Sequence, residues 1–206
     1  MWRRPFGAAL AALALLGLAA CGNEPVPQDS FYRLSAGETG HRFGQPLLGG
    51  TLVVERFNAE GVIAERAILH QEPDSPRLRQ YNYHYWTETP GTMIRDAVIA
   101  AYRQADAAGR VVSPELRLRP DYRLTGTIKR LNHRLPDTRT GNGRAVIELE
   151  LSLVRARDGE LLLLERYDAF QPTPGPGVPA AATAFRIAVA DILARSLDDL
   201  AETVTR

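Results

Sequence analysis

Residues 144–157 read RAVIELELSLVRAR, then Asp158-Gly159, then 160–170 ELLLLERYDAF, and this stretch decides the fold. Ala145, Ile147, Leu149, Leu151 and Leu153 alternate with Glu148, Glu150 and Ser152. That two-residue period belongs to a strand with one apolar and one polar face. Asp-Gly is a hairpin turn signal, so Glu160–Phe170 returns as the antiparallel partner. An apolar face that long needs a second layer, and two helical stripes can supply it. From about Thr92 to Ala107, Ile94, Ala97, Val98, Ala101, Tyr102 and Ala105 recur every three or four residues, with Gly109 as the stop signal. From about Ala180 to Thr203, Phe185, Val189, Ile192, Leu193, Leu197 and Leu200 do the same. The expected fold is a two-layer α+β sandwich, a largely antiparallel sheet with two amphipathic helices packed on one face.

Further strands are expected at Phe31–Leu34, Thr51–Phe57, Arg66–Gln71, Arg79–Trp86 and Tyr122–Leu131, each rich in β-branched or aromatic residues. Pro73 and Pro76 mark a turn, and 171–179 (QPTPGPGVP) holds four prolines and reads as an irregular loop. Glu148 and Glu150 read as solvent-facing, solubilising residues.

The N-terminus is of a different kind. Arg3 and Arg4 precede Gly7–Ala20, a run of small and apolar residues without charge. Fourteen residues make about 21 Å of helix against a hydrocarbon core of about 30 Å, too short to span comfortably. A positive start, a short apolar run and small residues describe a secretory signal peptide at 1–20. Leu18-Ala19-Ala20-Cys21 looks like a bacterial lipobox, in which Cys21, the sole cysteine, becomes the acylated N-terminus. Residues 21–30 then form the lipidated cysteine and a short tether, and 31–206 a single domain. Stable anchoring takes two or more acyl chains, which lipoproteins of this kind carry. Ten residues reach roughly 35 Å at most, so the domain stays near its membrane. Gly22 replaces the aspartate of the familiar inner-membrane retention signal, which favours the periplasmic face of the outer membrane.

Charge excludes some functions. Without Arg3 and Arg4 the chain holds 23 basic against 24 acidic residues, and with export this argues against nucleic acid as a partner. Arg110–Arg144 is nonetheless a basic belt, nine basic residues to three acidic, suited to headgroups or an acidic partner. No cofactor, metal or catalytic pattern stands out. His41, His70, His84 and His133 are scattered without metal-ligand spacing, and no Gly-x-Ser-x-Gly elbow occurs. The expectation is a non-enzymatic protein.

The stretch Tyr81–Trp86 (YNYHYW) is unusual in its aromatic content. By alternation Tyr81, Tyr83 and Tyr85 share one face, with Asn82, His84 and Trp86 on the other. Exposed aromatics make good partner anchors, and Tyr83, Tyr85 and Trp86 are the candidate contact surface.

In order, the lipobox, Phe31-Tyr32-Arg33-Leu34, Arg66-Ala67-Ile68-Leu69, Tyr81–Trp86, then proline and a helix resemble the ABC-type transport auxiliary lipoprotein family, which includes PqiC-like proteins. The chain departs from the usual pattern at Phe31, where tyrosine is commoner, and at Thr87-Glu88-Thr89-Pro90. The resemblance implies a partner set: an MCE-domain periplasmic protein with an ABC permease and ATPase, moving lipids or other hydrophobic molecules between two membranes. It implies that the lipoprotein docks the conduit at the outer membrane, with a homo-oligomer around the conduit left open. Two other readings stay open at this point, an outer-membrane assembly lipoprotein partnering a β-barrel and a periplasmic lipid carrier.

Overall fold

The computed structural model describes residues 26–137 and 141–205. The signal segment 1–20, Cys21 and the first part of the tether lie outside them. Nine strands form one curled sheet: β1 Ser30–Tyr32, β2 Leu48–Val54, β3 Asn58–Ala59, β4 Ala67–Gln71, β5 Leu78–Trp86, β6 Ala108–Val112, β7 Tyr122–Arg134, β8 Arg144–Arg155 and β9 Leu161–Pro172. Two helices, α1 Pro90–Gln104 and α2 Gly177–Thr205, cover one face. The α+β fold expected from the sequence is the fold found.

The hairpin that decided the reading is its backbone. β8 pairs antiparallel with β7 on one side and β9 on the other along almost its whole length. The free edge of β7 then takes three short partners in succession, all parallel: β2 at its start, β3 in its middle and β4 at its end. β6 extends β2, and β5 and then β1 extend β4. The sheet therefore forks, with one branch at each end of β7.

The core lies between this sheet and the helices. Ile147, Leu149, Leu151 and Leu153 of β8 meet Ile94 and Val98 of α1 and Phe185, Val189, Ile192 and Leu193 of α2 in one cluster. Every residue of the two expected stripes is buried. Tyr102 donates a hydrogen bond to the Ser196 hydroxyl at 3.1 Å, so its polar tip is satisfied within this layer. α2 is long and apolar enough by composition to cross a membrane, but its apolar stripe is the core of the domain.

Three local features differ from the sequence reading. α1 ends at Gln104, and the chain turns at Asp106 with φ 57° rather than at Gly109. Gly109 sits inside β6, a strand the helix stop signal concealed. Its Cα lies close to the backbone of Gly50, where a side chain would crowd. Glu148 is 8 % exposed and bridged to Arg166 of β9, so it is a buried ion-paired group and not a solubilising one.

Candidate functional site

β5 carries the aromatic stretch, and its geometry breaks the simple alternation. Ala67 pairs with Tyr85 while Leu69 pairs with Gln80, so β5 inserts extra residues opposite a two-residue step of β4. Tyr83 sits in this bulge with φ 64°, a left-handed conformation costly for a tyrosine. The bulge divides the aromatics into three environments.

Tyr83 stays outside, 45 % exposed. Tyr85 is half-buried and packs against Phe31 of β1 with ring centroids 5.9 Å apart. The Arg66 guanidinium lies 5.6 Å from the centre of the Phe31 ring, and its Nε donates to the Trp86 carbonyl at 3.0 Å. Trp86 does not join this surface. It is 1 % exposed and meets Phe185 of α2 edge to face, with centroids 5.5 Å apart. The expectation that Trp86 contacts a partner is corrected: the register after the bulge turns it into the core, where its large apolar ring is most favourable. Phe31 takes its place, 56 % exposed and beside the tether. No sequence pattern assigns Phe31 this role, because only the parallel pairing of β1 with β5 places it next to Tyr85.

The bulge also brings Tyr81 and His84 together with His70, His133 and Tyr32. Tyr81 Oη lies 2.7 Å from His133 Nδ1, and Tyr32 Oη lies 2.9 Å from His84 Nδ1. The His70 and Tyr81 rings are 4.4 Å apart. Three of the four histidines that look scattered along the chain thus converge, because β4 pairs with the end of β7 and sets His70 opposite His133. Burial pulls the His133 pKa down to about 4, helped by the neighbouring His70. Burial lowers His70 too, with Glu72 opposing and Arg79 reinforcing the shift. Burial lifts the Tyr81 hydroxyl to about 12. Both imidazoles are therefore neutral at neutral pH. Gly143 closes over His133: a side chain there would overlap Nε2 and the Arg134 carbonyl. Among the described residues no group of three or more His, Cys, Asp or Glu side chains is placed to hold a metal ion.

The basic belt is only partly free. Arg123 pairs with Glu55 at 2.7 Å and Lys129 approaches Glu150 at 3.9 Å. Arg110, Arg117 and Arg119 are exposed, and their side chains have no hydrogen-bond or ion-pair partner among the described residues. The space between sheet and helices is filled by Leu52, Ile94, Tyr102, Phe185 and Leu193. A cleft of about 410 Å³ opens at the surface between Leu34–Ala36 and α1.

These features define an α+β domain whose distinctive chemistry is on its surfaces. The family model for the ABC-type transport auxiliary lipoprotein component matches residues 32–195, and the chain belongs to that family. The solved structure of XCC0632 from Xanthomonas campestris, a DUF330 protein, is similar at 20 % identity and TM-score 0.73, covering 84 % of this chain and 95 % of that one. The crystal structure of an uncharacterised protein matches at 17 % identity and TM-score 0.61, covering 85 % and 98 %. At these identities the likeness is one of fold. No curated protein matches the chain by sequence.

Proposed function

We propose that the protein is a non-enzymatic, lipid-anchored component of an ABC transport system that carries lipids or other hydrophobic molecules between inner and outer membranes. Cys21 is the acylated anchor. The domain docks an MCE-domain conduit near the outer membrane, and Tyr83, Tyr85 and the adjacent Phe31 belong to its exposed surface. The observation that carries this reading is the family match, which begins at Tyr32, directly after the tether, and runs into α2. The filled interlayer core favours a docking role over a lipid carrier, since a carrier needs room for an acyl chain.

The test is a mild-detergent pull-down of the tagged, lipidated protein from its own cells. An MCE-domain protein recovered with its permease or ATPase is the expected result. Recovery of a β-barrel alone would replace this reading with an assembly lipoprotein.

A further inference from the structure

The two ends of the domain differ in chemistry, and topology says which end meets the tether. β1 is parallel to β5, β5 is antiparallel to β4, and β4 is parallel to β7. β1 therefore runs opposite to β7, and the chain enters it from the side where β7 finishes. By these registers Ser30 lies about level with Leu131, so the other end, where β7 begins at Tyr122, is about nine strand residues away, roughly 30 Å at about 3.3 Å each.

That remote end carries residues 114–120, PELRLRP. β6 and β7 both border β2, so the connection between them crosses β2. It is pinned on both sides. Arg95 of α1 holds Glu115 at 2.6 Å. Asp121 donates its N–H to the Thr51 carbonyl at 2.9 Å, and its carboxylate accepts the Thr51 N–H at 2.7 Å. Between these anchors Leu116 and Leu118 are 58 % and 44 % exposed. They alternate with Arg117 and Arg119, which have no acidic partner among the described residues. A crevice of about 480 Å³ opens beside Arg119, lined also by Asp121 and by Arg155 and Arg157, which are both paired with Asp158. Leu161, 53 % exposed, stands across from Val154 at the same end.

A loop that only needs to cross β2 has no use for exposed leucines, and a fixed apolar pair framed by unpaired arginines is the composition of an interface. We propose that this end is a docking surface for a periplasmic protein that presents an apolar patch rimmed by carboxylates. The arginines select the acidic rim. The position selects a protein over the anchoring membrane, because the loop lies at the end remote from the tether. The inference rests on the transport reading above and names the contact on that same domain.

The test uses the full lipidated chain in its own cells, with a photo-crosslinking residue in place of Leu118 and, separately, of Tyr83. The expected result is a Leu118 crosslink to the MCE-domain protein that co-purifies with the wild type. Its yield falls about tenfold in Arg117→Glu/Arg119→Glu and returns with lysine at both positions, as charge complementarity requires. Thermal melts of each variant confirm that the fold is kept. Crosslinks from Leu118 only to lipid, only to a second copy of the chain, or unchanged by charge reversal overturn the proposal. If transport proteins still co-purify in those cases, the transport reading survives and only this surface falls. If none co-purifies with the wild type, both fall.

Discussion

Tyr81 and His133 are joined by a 2.7 Å contact between Oη and Nδ1, across strands that are 52 residues apart in the chain. This pair fixes the end of β7 to the bulge of β5, and it makes the domain sensitive to acid. The folded-state pKa of His133, about 4, lies below its ordinary value of 6.5. The unfolded chain therefore binds more protons in that window. The stabilisation is complete above pH 6.5 and is lost as pH falls toward 4. The expected loss is about 2 kcal/mol, after allowance for partial solvent access. Thermal melts from pH 7.5 to 4.5 should show Tm falling steadily in the wild type. His133→Asn should melt lower at pH 7.5 and show a flatter slope. A wild-type Tm flat across the window would contradict this account.

Trp86→Ala should cost about 3–5 kcal/mol, the range for a large buried aromatic. The ring is enclosed against Phe185, so the loss appears in urea unfolding as a lower midpoint. Tyr85→Ala, at a half-buried position, should cost well under half as much.

Tyr83→Gly should act in the opposite direction on stability. Glycine adopts φ 64° without the penalty of a side chain, so the variant should gain up to about 1 kcal/mol. If Tyr83 anchors a partner, the same variant retains less of it in the pull-down. A gain in midpoint with unchanged co-purification would remove Tyr83 from the contact surface.

Gly126→Ala should be as damaging as many core truncations. A methyl group at Gly126 would overlap the Phe57 ring, which is 2 % exposed and fills the space left by the missing side chain. Overpacking of this kind costs about 1–3 kcal/mol. Pairing it with Phe57→Leu should recover part of the loss, which differential scanning calorimetry can resolve.

Cys21→Ser should release the protein from the membrane fraction into the soluble periplasmic fraction, and intact-mass analysis should lose the mass of the acyl groups. Retention in the membrane fraction would point to a second anchor.

The parts of the fold legible in the sequence are those set by local period. The 144–170 hairpin and both helical stripes emerge where expected, because a single buried face imposes a repeat on every residue along it. The branches of the sheet were hidden. β6 is five residues long, β3 only two, and both pair in parallel with strands far along the chain, so no local turn announces them. The site shows the same division. The aromatic strand is visible as composition, but the bulge at Tyr83 reverses the side on which later residues emerge, and a rule of strict alternation cannot anticipate that. What the bulge changes is that Tyr81 shares a side with His84; Trp86 stays opposite Tyr85 and points inward, and the pairing of β1 with β5 sets the exposed Phe31 beside Tyr85. The histidine cluster depends on the same non-local pairing.

β1 has a mechanical consequence. Only three residues, Ser30–Tyr32, join the tether to the sheet, and they pair on one side alone. A pull applied from the residues before Ser30 must pass through them, in shear along the strand. The Tyr32 carbonyl accepting the Thr87 N–H at 2.8 Å and the Phe31–Tyr85 stack resist it. The next firm hold is Leu34, already embedded in the core. Under load β1 should peel first and lengthen the leash by about 3.5 Å per residue while the sandwich stays closed.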